Sequence, residues 1–528
     1  MEKRAGRPAR VRRAVAITVA IAAALTAIAS SSLVAQQPLE PIVYTVRVPA
    51  PETHYIEVQA SIPTSGGASI ELMMPVWSPG YYRIEDYAGK VDEVTARTPD
   101  GTPLTVEKPR PNRWRVGTSN QRTIVLAYRV FCNQRSVTTN YVDSSYGVLN
   151  GAPTFITLVE QRRRPHEIRL ELPSSWQRAM SGLDDAPDRA PTHFRAADYE
   201  TLVDSPILAG DLGVRPFDVA GKAHYVVSAG EVAGWDADAA ARDLKTYVEE
   251  VHRFWGFLPY DKYDFLLVFR QGGGGLEHKT STLSTVSARR GAEGRMWPGI
   301  GLLTHEYFHL FNVKRLRPVE LGPFDFEKPP TTGSLWIAEG VTSYYSGLLT
   351  ERAGLRTRDE YLGSLSSLIG GLQNAPGRLL QSVEQSSLEV WNNSNSGVNP
   401  SATTVSYYNK GNVLGLLLDA RIRRVTNGRR SFDDAIRLAY QRYSGDRGFT
   451  ADQFRATASE VAGTDLTDWF RTTVSTTQEL DYADLLDWYG LHFTASDGPA
   501  GRWMLEVRSD ATDAQKQHLD EWLRSSRR

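Results

Sequence analysis

One change of period governs what this chain can fold into. From about residue 40 to 215, apolar and polar side chains alternate in segments such as IVYTVRVPA, HYIEVQASIP, SIELMMPVW, RTIVLAYRVF and HEIRLELP. Alternation at period two puts successive side chains on opposite faces, so these segments read as half-buried β-strands. Turn clusters such as Thr64-Ser65-Gly66-Gly67 and Pro99-Asp100-Gly101 separate them. Near residue 230 the pattern lengthens. DADAAARDLKTYVEEVHRFWGF reads as a helix, YDKYDFLLVFRQ as a strand ended by Gly272 to Gly275, and helical patterning dominates from 297 to about 475. The polar loop NNSNSGVNPSATT interrupts it at 392–404. The expected fold is therefore α+β and multidomain: an N-terminal β-sandwich-like domain over 36–220, a mainly helical domain over 221–475, and a short C-terminal segment over 476–528. That last segment reads as short helices with a strand at WMLEVRS.

Residues 1–35 stand apart. Lys3, Arg4, Arg7, Arg10, Arg12 and Arg13 precede the uncharged run AVAITVAIAAALTAIASSSLVA. A basic start, an apolar stretch and small residues near its end mark a secretory signal peptide, cleaved after Ala35 or after Ala29. The competing reading is an uncleaved membrane anchor, but the run is rich in Ala and poor in Leu and Ile, which is weakly hydrophobic for a permanent span. The expected location is the periplasm or the extracellular space, with no membrane span in the mature chain. Cleavage removes six basic residues and one acid, so the formal charge moves from −1 to −6. A mildly acidic protein of this kind is not suited to general nucleic-acid binding. The single cysteine, Cys132, can form no internal disulfide and excludes a cysteine-rich zinc site.

The run PGIGLLTHEYFHLFNVKRLRP at 298–318 reads as one amphipathic helix, with Pro298 early and Pro318 beyond its end. On a helix, positions four apart share a face, so His305 and His309 project together and can share one tetrahedral Zn²⁺. Glu306 lies one residue on, close enough to hold water without ligating the metal, which is the position of a general base. A second helix, SLWIAEGVTSYYSGLL, carries Glu339 on an otherwise apolar stretch. A carboxylate there is costly to bury unless it is paired or bound to metal. His305, His309 and Glu339 would make three protein ligands and leave a fourth position open, the arrangement of a catalytic rather than a structural site. One zinc ion per chain is expected.

HEYFH followed by WIAEG resembles the gluzincin metallopeptidases, in which the third ligand is a Glu on a downstream helix. GGGGLEH at 272–278 is similar to the Gly-x-Met-Glu-Asn segment of gluzincin aminopeptidases, and YNKG at 408–411 to their Tyr-x-Lys-Gly segment. With MPVWSPGYYRIEDYAG near the N-terminus, the pattern looks most like the glycyl aminopeptidase family, metallopeptidase family sixty-one, over about residues 42–490. The resemblance implies a thermolysin-like catalytic domain acting on peptide substrates. It also implies an anchor for the substrate amine at Glu277, with Gly274 and Gly275 letting backbone approach the ligand. Tyr408 would steady the oxyanion. Periodicity alone does not separate it from Tyr407. His278 is expected to line the site, and Lys410 and Asn312 to support it. The family name suggests N-terminal Gly or Ala. The stretch between His309 and Glu339 is longer than is usual in the broader clan, and no PDZ domain is expected after YGLHF. An endopeptidase using the same zinc, or an inactive peptide- or glycan-binding relic, are the rival readings.

Overall fold

The alternating segments become strands that bury every second residue. In Ile42–Arg47 the side chains of Ile42, Tyr44 and Val46 are fully buried while their neighbours are half-exposed. The computed structural model describes residues 39–160, 163–287, 297, 299–392, 402–494 and 503–524. The basic and apolar N-terminal stretch and residues 393–401 of the polar loop lie outside these residues. Ile42–Arg47 runs antiparallel to Tyr55–Pro63 and parallel to His166–Glu171 within an eight-stranded sheet. Thr157–Leu158, Ser69–Met73, Arg113–Gly117 and Val106–Arg110 form a four-stranded sheet. One apolar core, including Tyr44, Ile56, Leu72, Trp114 and Leu126, is shared by the two sheets, as in a sandwich. A further four-stranded sheet, built on Ile207–Gly210, presents Leu208 and Val148 to a third core.

That third core leads to the mainly helical half. Five strands lie in the order Gly213–Val219, Lys222–Gly230, Lys262–Phe269, Ser281–Val286 and Gly274–Glu277. Lys262–Phe269 is buried on both faces. Leu266 and Val268 join the β side, whereas Tyr263, Phe265, Leu267 and Phe269 join the large helical core. Helix Ala237–Trp255 links two of its parallel strands. Its N-cap Asp236 accepts the Ala239 N–H at 2.9 Å, and Gly256 ends it in the left-handed region at φ 86°. Gly274–Glu277 is the sheet's edge. Among the described residues it pairs only with Ser281–Val286.

The helices differ from expectation at one important point. The HEYFH helix spans only Ile300–Phe308 and does not run on toward Pro318. The His309 carbonyl accepts both the Val313 N–H (3.0 Å) and the Lys314 N–H (2.9 Å), and the Leu316 N–H reaches back to the Phe311 carbonyl at 2.7 Å. The chain therefore leaves the helix in widened turns, and Asn312 is used for other bonds. The following rod opens with one π-helical stretch, Trp336–Val341, and continues as α-helix over Thr342–Arg352. Helix Tyr407–Val425 crosses it. The C-terminal segment closes the same core. Leu491–Phe493 pairs with Leu505–Val507, and helix Asp513–Leu523 buries Trp522. No helix among the described residues is long and apolar enough to cross a membrane.

Candidate metal centre

His305 and His309 sit at the end of the short helix, and Glu339 sits in the π-helical stretch facing them. Their three donor atoms form a tight triangle. His305 Nε2 and His309 Nε2 are 3.0 Å apart, and Glu339 Oε2 lies 3.1 Å from His309 Nε2 and 3.5 Å from His305 Nε2. A tetrahedral ion with bonds near 2.1 Å requires donors about 3.4 Å apart. The triangle fits zinc. A π-helical stretch is a frequent device at functional sites, because it shifts the register of one side chain without breaking the rod.

Surrounding atoms orient the imidazoles. His309 Nδ1 donates to the Asn312 carbonyl at 2.8 Å, which leaves Nε2 free to ligate. Asn312 Nδ2 in turn donates to the Ile337 carbonyl (2.9 Å) and to Thr342 Oγ1 (3.0 Å). Ser343 Oγ lies 3.4 Å from His305 Nδ1. Asn312 was expected to support the site; Thr342 and Ser343 carry no local sequence signal. Lys410 is buried but shows no hydrogen bond or ion pair into the site among the described residues, so its expected supporting role is not seen.

Two more carboxylates complete the cluster. Oxygens of Glu277 and Glu306 and a nitrogen of His309 lie within 4.8 Å of one another. Gly275 lies directly against Glu306: a Cβ there would be 2.5 Å from the Glu306 carboxyl carbon. Gly274 has φ +148°, a region that favours glycine, and opens onto free space. Glu277 is buried, and its Oε1 has no hydrogen-bond partner among the described residues. His278 points behind it, with Nδ1 3.3 Å from Asp204 Oδ1. Tyr408 packs its ring 6.1 Å from the His305 ring, and Tyr407 stacks behind Tyr408 at 4.9 Å.

The electrostatics are those of a cation site. Burial raises the Glu306 carboxyl to about 8, with His309 opposing. Burial acts against the Glu339 carboxylate as well, but the two histidines outweigh it and hold that group at about 2. Burial also disfavours the His309 imidazolium, yet Glu339, Glu277 and Glu306 keep its pKa at about 9. The cluster attracts positive charge. Burial, then Glu339 and Tyr407, push the Tyr408 phenol well above its usual value. Tyr82 was missed by sequence reasoning. It reaches the site from the β half, where burial, Glu339 and Glu277 raise its phenol in turn. The aromatic and Gly/Pro-rich run at 74–89, unusual among plain strands, was the signal.

A β-rich half joined to a helical half, with two histidines and a glutamate brought together beside a free sheet edge, defines a metallopeptidase of the HExxH type. Residues 43–211 match the peptidase M61 N-terminal domain and residues 299–414 the M61 glycyl aminopeptidase domain, together more than half of the chain. The chain belongs to the M61 glycyl aminopeptidase family. Among solved structures, an aminopeptidase N family protein from Idiomarina loihiensis superposes with TM-score 0.80 and 26% identity, over 85% of this chain and 78% of that one. An M1 zinc metallopeptidase from Deinococcus radiodurans shares the fold at TM-score 0.51 and 12% identity, over 84% and 95% of the two chains. A mutant of the latter bound to a Tyr-Ser-Ala substrate gives TM-score 0.50 and 13% identity, over the same shares. No curated protein sequence matches the chain.

Proposed function

We propose that this enzyme is a zinc-dependent aminopeptidase that removes small N-terminal residues, Gly or Ala, from peptides. His305, His309 and Glu339 would hold one Zn²⁺ per chain. When bound, zinc supplies Lewis acidity, which acidifies water and polarises a carbonyl. Glu306 takes the proton from the attacking water and returns it to the departing amine, a role worth about 10²–10⁴ in rate. Tyr408 donates its phenolic proton toward the oxyanion. Glu277 pairs with the substrate α-ammonium and so sets the distance to the first peptide bond. The substrate backbone lies along the free edge of Gly274–Glu277, where Gly275 lets it come close to Glu306.

The observation that carries this reading is the buried Glu277 carboxylate, with one oxygen unpartnered, at the end of a free strand edge beside Glu306 and His309. An endopeptidase has no need of a buried carboxylate with an unpartnered oxygen there. In the same reading, residues 36–220 are the accessory β domain, 221–475 the catalytic domain and 476–528 a closing segment. Residues 1–35 direct the chain to the periplasm or the extracellular space.

The test is to incubate zinc-loaded protein with matched peptides, free and N-acetylated, beginning with Gly, Ala or a bulky residue, and to identify the products by mass. Release of single Gly or Ala from free peptides alone is the expected result. Internal cleavage of acetylated peptides would make the enzyme an endopeptidase.

A further inference from the structure

Glu277 also forms a wall of a cleft that encloses about 520 Å³, part of it open to solvent. Gly80 and Tyr82 line it from the β half, Lys279 follows the anchor, and Lys314 and Arg317 come from the turns after HEYFH. The centre of a water molecule can range over only about 30 Å³ of it, which is room for two or three waters or for one small side chain.

Some of the charges in the lining are matched. Asp204 Oδ1 pairs with Lys314 Nζ at 2.6 Å, and Asp204 Oδ2 accepts the Lys279 N–H at 2.8 Å. Glu200 Oε1 accepts the Phe324 N–H at 2.9 Å. The Lys279 ammonium and the Glu277 carboxylate have no ion pair among the described residues, and neither has Arg317. Arg317 is only 7% exposed, and its guanidinium makes no hydrogen bond with any described residue. It lies against the Gly322 backbone, and its Cζ is 5.6 Å from the centroid of the Phe324 ring. The guanidinium nitrogens keep contact with water instead of being sealed in dry protein, so they are open to an arriving anion. The lining places Lys279, Lys314 and Arg317 against Glu200, Asp204 and Glu277. A substrate α-ammonium on Glu277 would leave one positive charge in excess.

On the aminopeptidase reading given above, we propose that Arg317 reads a carboxylate on the side chain of the substrate's N-terminal residue, so that N-terminal aspartate is accepted beside Gly and Ala and ahead of asparagine. The carboxymethyl group of aspartate suits the narrow space, and the planar guanidinium can receive a carboxylate through two parallel hydrogen bonds. The longer glutamate side chain fits less well. Arg317 is then a specificity-determining residue rather than a structural one.

Two measurements test this. In the first, otherwise identical free peptides beginning with Asp, Asn or Ala are hydrolysed by wild type and by Arg317→Met. Asp should exceed its near-isostere Asn by at least about ten-fold in kcat/KM, because the unmatched charge discriminates between them. Arg317→Met should bring the two within about two-fold of each other, and its melting temperature should stay near that of wild type. Arg317→Lys, which keeps the charge and the stem, should retain part of the preference. In the second, calorimetry compares binding of free L-aspartate and L-asparagine to the same proteins and needs no hydrolysis. Equal treatment of Asp and Asn by wild type in both measurements overturns the proposal, as does a preference that survives Arg317→Met. Arg317-dependent binding of aspartate without cleavage of any free peptide would uphold the cleft and sink the aminopeptidase reading instead.

Discussion

Gly340 and Gly411 meet backbone to backbone where the Glu339 rod and the Tyr408 helix cross. A Cβ on Gly411 would come within 2.6 Å of the Trp336 carbonyl oxygen and 2.9 Å of Gly340 Cα. One glycine belongs to WIAEG and the other to YNKG, so both segments owe a residue to this crossing. Across it the Tyr408 ring stands 6.1 Å from the His305 ring. Gly411→Ala should cost about 1–3 kcal/mol through overpacking. Because misplacement by about 1 Å can cost about 10²-fold, kcat/KM should fall far more than the stability loss explains. Thermal unfolding and steady-state kinetics on one preparation check this; full activity in a folded Gly411→Ala would show that the contact does not position Tyr408.

Asn312 ties the turn after His309 to the Glu339 rod through its bonds to the Ile337 carbonyl and Thr342. Its own carbonyl holds the His309 imidazole. Asn312→Ala keeps the backbone carbonyl that holds His309 but frees the turn from the Glu339 rod. The triangle should therefore loosen and zinc affinity should fall about ten-fold, the low end of the effect of losing an orienting partner. Chelator competition measures it directly. An affinity within about two-fold of wild type would confine Asn312 to packing.

Glu306 and Tyr408 should separate from the ligands in their effects. Glu306→Gln is expected to bind zinc in full stoichiometry and lose about 10²–10⁴ in kcat. Tyr408→Phe should also keep zinc and lose about 10²–10³. Tyr407→Phe should stay within a few-fold of wild type, because Tyr407 stacks behind Tyr408 instead of over His305. Glu339→Ala should lose the metal itself, and chelation of the wild type should abolish turnover. Metal analysis beside kinetics distinguishes the two groups; a larger effect from Tyr407→Phe would reverse the assignment of the oxyanion donor.

Much of this arrangement is written in local pattern. Period two marks the strands of the β half because their buried faces alternate, and the His305–His309 spacing needs only one helical turn to be meaningful. The end of that helix was not legible. Apolar periodicity runs on through Leu310 and Val313, and only the tertiary bonds of Asn312 explain why the helix stops. Tyr82, Asp204 and Arg317 were hidden for another reason. Their roles come from contacts between distant parts of the chain, such as Lys314 with Asp204 or Gly80 against Glu277. Glu277 was found through the resemblance of GGGGLEH to a known segment, since no spacing rule connects it to His309.

Asp264 gives the fold its own dependence on pH, away from the metal. It lies in the buried strand Lys262–Phe269, and neither carboxylate oxygen has a hydrogen-bond partner among the described residues. Burial raises its pKa to about 7, with Lys262 opposing. In the unfolded chain it titrates near 3.9, so between these values the folded state holds a proton that the unfolded state has released. Stability from this group is therefore present in full below about pH 4 and lost as pH rises through about 7. The whole span is worth at most about 4 kcal/mol. Asp264→Asn keeps the shape and stays neutral throughout. Urea unfolding of both proteins at pH 5 and pH 8 isolates the effect, because every other titration is common to them. The variant should gain on wild type as the pH rises. A difference between them that stays constant from pH 5 to pH 8 would mean that Asp264 is ionised in the folded protein and has found a partner.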